Sequence, residues 1–172
     1  MGRDKALLPL HGQPLVIAVA SAVQTAAGSV TLVGNPALHA NLGLPLVADL
    51  YPGEGPLGGI LTALNAAAAE WNLIAACDMP ALEFVFLNRL FDAAERSNSQ
   101  ILLPVDAAGI PQPLCAVYHR QSLPALQRAF NAGIRKVTAA LENLRVDTLV
   151  VEQVEHFQNV NTPEDWAAYA SG

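Results

Sequence analysis

The sequence predicts an α/β domain, a mostly parallel sheet with helices on both faces. Short β-branched runs alternate with alanine-rich helical stretches through most of the chain, the layout of parallel strands joined by crossover helices. Leu73-Ile74-Ala75-Ala76 is apolar at every position, as in a strand covered on both sides. With 172 residues, 52% hydrophobic and 14% charged, the chain suits a single domain over residues 1–172 with one core. A domain of that size buries roughly two-thirds or more of the surface its unfolded chain exposes.

The chain opens Met1-Gly2-Arg3-Asp4-Lys5-Ala6-Leu7-Leu8, a lysine suited to holding phosphate with almost nothing before it to form a strand. Residues 14–26 follow as a helix, opened by Pro14 at its first turn and closed by Gly28. Residues 30–33 are a buried strand and residues 46–48 a short second strand. Residues 57–70 are helical, with Ala66 to Ala69 adding high helix propensity. Residues 73–76 are a strand that ends at Cys77-Asp78-Met79-Pro80, where proline prevents continuation. A helix over 82–97 and strands over 101–105 and 114–118 come next. Helices over 122–131 and 137–144 then lead to a strand over 148–151. The tail is a helix over 163–169, with Glu164 and Asp165 in its first turn where carboxylates offset the helix dipole.

Composition narrows the function. A net charge of −6 argues against general nucleic-acid binding, which relies on a basic face. An anionic small substrate is compatible if Arg3, Lys5, Arg135 and Lys136 supply a local positive field. No apolar run approaches the ~18 residues that span a bilayer, so no membrane partner is expected. Cys77 and Cys115 lack metal-ligand spacing and no signal peptide precedes them, which predicts reduced, buried thiols in a cytoplasmic protein.

In an open parallel sheet ligands bind beyond the carboxyl ends of the strands. Three predicted strand ends carry polar residues there: Gly34-Asn35-Pro36, then Asp49, then Cys77-Asp78. Together they suit recognition of a base and ribose and the holding of a cation. Singly, each is equally a helix cap or turn residue. Asp78 is the best placed, where a buried strand emerges into a loop. A carboxylate there suits Mg²⁺, which takes one or two protein carboxylates and lets substrate phosphates complete its octahedron. Its alternative role is an N-cap for the helix beginning near Leu82. Residues 49–59 form a glycine-rich loop entering a helix, compatible with close approach to a ligand or with a plain connection. Residues 159–165, Asn159-Val160-Asn161-Thr162-Pro163-Glu164-Asp165, pair asparagines with a helix start in a similar way.

These segments, taken in order, resemble the molybdenum cofactor guanylyltransferase family. The resemblance runs from Asp4-Lys5-Ala6-Leu7-Leu8 through Gly55-Pro56-Leu57-Gly58-Gly59, Cys77-Asp78-Met79-Pro80 and Gln112-Pro113-Leu114 to Asn159-Val160-Asn161-Thr162-Pro163. It implies a Rossmann-like nucleotidyltransferase that moves GMP from GTP to the terminal phosphate of molybdopterin, with Mg²⁺ as cofactor. It implies that Lys5 binds GTP phosphates, that Asn35 and Asp49 belong to the guanosine site, and that Asp78 holds the metal. Lys5 and Asp78 are then the catalytic pair. Arg135, Lys136, Asn159 and Asn161 face the molybdopterin side. Other proteins of the cofactor pathway and the molybdoenzymes it serves are the implied partners. The family pattern also places a hydrophobic strand and Leu-Ala-Gly-Gly-x-Ser-x-Arg before Met-Gly-x-Asp-Lys. The expectation is therefore an N-terminally truncated domain, lacking its first, central strand and part of the nucleotide loop.

The implied nucleophile is a phosphate monoester, whose second pKa near ~6 leaves it ionised without a general base. His11, His39, His119 and His156 accordingly stand in no acid–base motif and are expected to be structural or on the surface. Two other functions compete. One is a non-catalytic truncated paralogue that binds molybdopterin or a pathway partner; the other is a cytidylyl or sugar-phosphate nucleotidyltransferase.

Overall fold

The structure, a computed structural model, describes residues 4–10, 12–158 and 160. A short 3-10 turn, Lys5–Leu7, leads into a hairpin of β1 (Pro9–Leu10) and antiparallel β2 (Gln13–Pro14). Helix α1 (Leu15–Ala27) starts after Pro14 and stops at Gly28, whose φ of 73° ends the helix in a left-handed turn. Then come β3 (Leu32–Gly34), α2 (Pro36–His39), β4 (Leu46–Ala48), α3 (Pro56–Ala66) and β5 (Trp71–Ala75). Helix α4 (Phe84–Arg96), β6 (Ile101–Asp106), β7 (Cys115–His119), α5 (Leu123–Asn131), α6 (Val137–Ala140) and β8 (Val146–Val151) follow, and a 3-10 turn, Val154–Phe157, closes the described chain.

The main sheet has the order β5-β7-β6-β8. β7 runs antiparallel to β5 and β6, while β6 and β8 are parallel. Three of its four strands therefore share one direction and only β7 is reversed. The loop before β7 is built for that reversal. Asp106 Oδ1 accepts the N–H groups of Ala108 and Ile110, and the hydroxyl of fully buried Tyr118 donates to the Pro113 carbonyl at 2.8 Å. The Gln112-Pro113 pair thus has a structural task in seating β7.

Alternation along β6 and β7 divides the apolar interior in two. Leu102, Cys115 and Val117 face α1 and α4; Ile101, Leu103, Ala116 and Tyr118 face α3, α5 and α6. Helices cover both faces as predicted, with a core on each side of the sheet. Cys115 is completely buried, and burial pushes its thiol from an ordinary 9.0 up to about 12. Burial also raises the Tyr118 phenol. An acid whose folded pKa is raised stabilises the fold fully below its unfolded pKa, and that stability is lost as pH climbs toward the folded value. Unfolding midpoints in urea are therefore expected to fall from about pH 9 upward, and Cys115→Ala should flatten the slope.

Several local expectations are corrected. α3 ends at Ala66, not residue 70, because Ala67 turns to an extended ψ of 134° to bring the chain round into β5; tertiary direction overrides the propensity of the alanine run. α6 stops at Ala140 and residues 141–144 continue in tighter i→i−3 turns, such as Leu144 N–H to Leu141. Cys77 is half-buried rather than part of either core, because it lies just past the end of β5. The hairpin and α2 carry too few residues to leave a periodic signal. The helix expected over 163–169 lies outside the described residues. Among the described residues no helix is long and apolar enough to cross a membrane.

β3 and β4 form a separate parallel pair, in register Leu32↔Leu46 to Gly34↔Ala48. Neither is paired to β5. Between β3 and β5 lies a cleft of about 1200 Å³, floored and roofed by α1 and α3 and lined by Val16, Val19, Val33, Ala63 and Leu73. It exceeds the ~300–1,000 Å³ of an ordinary small-molecule pocket, and both flanking strands turn an unpaired edge toward it.

Candidate active site

The carboxyl ends of β3, β4 and β5 deliver the three polar positions named above. Asn35 follows β3 and its side-chain oxygen accepts the Ala37 N–H at 3.0 Å, so it caps α2. Pro36 occupies the first turn, which explains why so short a helix forms. Asp49 follows β4, and its backbone N–H continues the ladder by donating to Gly34 O. Its Oδ1 accepts from Tyr51 N–H and lies 3.0 Å from Thr62 Oγ1, a buried hydroxyl on α3. Thr62 in turn accepts the Leu50 N–H at 3.1 Å. Asp49 thus anchors the glycine-rich loop onto α3 through one oxygen. Nothing in the sequence singled out Thr62 as its partner.

Asp78 is different. α4 begins at Phe84 with Glu83 at its cap, so Asp78 does not serve as the N-cap of that helix. The half-buried turn that carries it is held from behind. Ala76 N–H bonds Leu114 O, and Val160 N–H donates to the Asp78 carbonyl at 2.9 Å. The histidine of the closing 3-10 turn, His156, stacks on Phe86 at 4.5 Å, and its Nδ1 lies 3.0 Å from Ala81 O. His156 is thus structural, as expected. Asn159 and Asn161 lie outside the described residues; Val160 is completely packed and its own N–H bonds it to the Asp78 turn.

Lys5 reaches the same place from the other end of the sequence. Its turn is capped by Asp4, whose Oδ1 accepts the Ala6 N–H at 3.0 Å while Oδ2 pairs with His39 Nε2 at 2.8 Å. Asp4, Lys5 and Asp78 all act electrostatically on Cys77. Its thiol is pushed up to about 11, first by burial, then by Asp78 and Asp4, with Lys5 opposing. One ammonium and two carboxylates therefore act on a single half-buried thiol. Among the described residues no three His, Cys, Asp or Glu gather into a metal cluster. A lone carboxylate at Asp78 fits a hard ion that draws its remaining oxygens from substrate phosphates.

Arg135 and Lys136 lie elsewhere. Arg135 Nε donates to Glu54 Oε2 at 2.6 Å, its Nη1 donates to the Phe130 carbonyl at 2.7 Å, and the guanidinium sits 3.9 Å over the Phe130 ring. It clips the glycine-rich loop to the α5–α6 turn. Lys136 is exposed at the start of α6. Among the described residues no hydrogen bond or ion pair joins either to the tail. Gly58 sets how closely that loop packs, since a Cβ there would lie 2.8 Å from Tyr51 Cβ and 3.3 Å from Tyr51 O. Gly58→Ala is expected to cost about 1–3 kcal/mol of stability and to displace Asp49; urea denaturation reads the first effect and nucleotide affinity the second.

Polar strand ends, a lysine-bearing turn beside a strand-end carboxylate, and a glycine-rich entry to α3 on a Rossmann-like frame define a nucleotidyltransferase. The model of the MobA-like NTP transferase domain matches residues 1–146, and the chain belongs to that family. A probable molybdenum cofactor guanylyltransferase of Deinococcus radiodurans is 37% identical over 96% of this chain and 85% of its own length. The molybdenum cofactor guanylyltransferase of Pseudomonas entomophila is 34% identical, over 95% and 87%. Among solved structures, molybdopterin-guanine dinucleotide biosynthesis protein A of Archaeoglobus fulgidus superposes with a TM-score of 0.83 at 27% identity, covering 99% of this chain and 90% of that one.

Proposed function

We propose that the protein transfers GMP from GTP to the terminal phosphate of molybdopterin, releasing pyrophosphate, in cytoplasmic molybdenum cofactor synthesis. The observation that carries this is the Lys5 turn, which Asp4 caps and His39 holds beside the end of β3, with Lys5, Asp4 and Asp78 all acting electrostatically on Cys77 just past β5. The names of the relatives supply the substrates. The terminal phosphate oxygen of molybdopterin attacks the α-phosphorus of GTP; a P–O bond forms there and the bond to the β-phosphate oxygen breaks. The nucleophile is already ionised, so the site needs position and charge neutralisation rather than a base. Lys5 draws charge from the leaving oxygens, and Asp78 holds Mg²⁺, which when bound neutralises the phosphates. Asn35 and the second oxygen of Asp49 face guanosine. Arg135, Lys136, Asn159 and Asn161 serve the molybdopterin side, which for Arg135 requires exchange of Glu54 for an anionic substrate. Pathway proteins and receiving molybdoenzymes are the further partners.

A second reading is supported by the cleft between β3 and β5: among the described residues no strand fills it, and a non-catalytic molybdopterin-binding module would not need one. Calorimetry with GTP, CTP and molybdopterin separates the readings. GTP binding with pyrophosphate release on adding molybdopterin and Mg²⁺ is expected. Preference for CTP would shift the reading to a cytidylyltransferase, and molybdopterin binding without nucleotide binding would favour the module.

A further inference from the structure

The Asp4–His39 pair lies outside every role assigned so far. His39 is more than nine-tenths buried, and its Nε2 lies 2.8 Å from Asp4 Oδ2. The other oxygen of Asp4 caps the three-residue turn that carries Lys5. A single 3-10 turn has almost no stability of its own, so its location depends on what holds its ends. His39 ends α2, the helix that Asn35 begins. The imidazole lies directly against the end of β3: a Cβ on Gly34 would sit 2.4 Å from Nδ1. That nitrogen has no hydrogen-bond partner among the described residues. A neutral ring with its proton on Nε2 satisfies Asp4 and leaves on Nδ1 only a lone pair against glycine, which costs less than stranding a second N–H. Gly34, His39, Asp4 and the Lys5 turn thus form one continuous connection from the end of β3.

We propose that His39 is a positioning residue, whose Nε2–H holds Asp4 and thereby fixes the distance between Lys5 and the Asn35 end of β3. In substrate terms it sets the span between the phosphates and the base of a bound purine nucleotide. This rests on the assignment of Lys5 to the phosphates of GTP. Glutamine carries an N–H donor near the position of Nε2, whereas asparagine is too short to reach Asp4. His39→Asn is expected to weaken GTP binding about tenfold, the value of a hydrogen bond to a charged group, and His39→Gln to restore it. The test is calorimetric GTP binding to the full chain for both variants, for Asp4→Asn, for the Asp4→Asn/His39→Asn double variant, and for Lys5→Ala, with thermal unfolding alongside. The effects of Asp4→Asn and His39→Asn should be strongly non-additive. Undiminished GTP affinity in His39→Asn overturns the proposal, as does a loss that glutamine fails to rescue, since a merely space-filling histidine predicts no such difference. An unaltered affinity in Lys5→Ala would instead sink the phosphate role of Lys5, a separate failure.

Discussion

Asp78→Asn is expected to lower pyrophosphate release from GTP, in the presence of Mg²⁺ and molybdopterin, by roughly 10²–10³-fold, while leaving the fold intact. The two side chains are nearly the same shape, so the change removes charge and little else. The turn that carries the residue is fixed by backbone bonds from Ala76 and Val160, which do not involve the carboxylate. Stability should change by no more than about 0.5 kcal/mol, as for substitutions away from structural contacts. An amide oxygen is a far poorer ligand for Mg²⁺ than a carboxylate, and it no longer offsets the ion's charge. Titrating Mg²⁺ should show a higher half-saturation in the variant. Full activity in a properly folded Asp78→Asn protein would take this residue out of the mechanism.

Joining a hydrophobic strand and a Leu-Ala-Gly-Gly-x-Ser-x-Arg segment ahead of Met1 is expected to raise both the melting temperature and GTP affinity, each by a large margin. The unpaired edges of β3 and β5 face a cleft of about 1200 Å³ with apolar walls from α1 and α3. A strand inserted there gains two ladders of backbone hydrogen bonds and buries side chains on both faces, as a central strand does. Each buried aliphatic side chain adds about 1.5–3 kcal/mol, so a few amount to a sizeable part of the ~5–15 kcal/mol that holds a domain together. The glycine-rich end would bring backbone N–H groups to the phosphates beside Lys5. Amide exchange in Leu32–Gly34 and Trp71–Ala75 should slow when the segment is present. Equal melting temperature, exchange and GTP affinity with and without it would refute the assignment of the cleft.

What was legible in the chain follows a physical divide. Elements bounded by residues with backbone consequences were placed closely: α1 between Pro14 and Gly28, and β4 over Leu46–Ala48. Where only propensity speaks, as at Ala66 to Ala69, it carries the expected helix past its actual end at Ala66. The reversal of β7 was not legible, because apolar alternation is the same in either direction and the cause lies in the turn at Asp106 and Pro113. In the site, Asp78 could be found because its neighbours are apolar on one side and proline-terminated on the other. Its convergence with Lys5 rested on family resemblance alone. The pairing of Arg135 with Glu54, and of His39 with Asp4, joins residues far apart in sequence and of common types, so neither left a local trace.

The bond from Val160 to the Asp78 carbonyl has a consequence for biosynthesis. A ribosome adds roughly 5–20 residues each second, so the Asp78 turn emerges several seconds before the segment that locks it. Helices and the neighbouring strands can form during that interval, but the turn stays unlatched until residue 160 clears the exit. Completion of the Asp78 turn is thus a late event in synthesis, set by a contact between residues far apart in the order of translation.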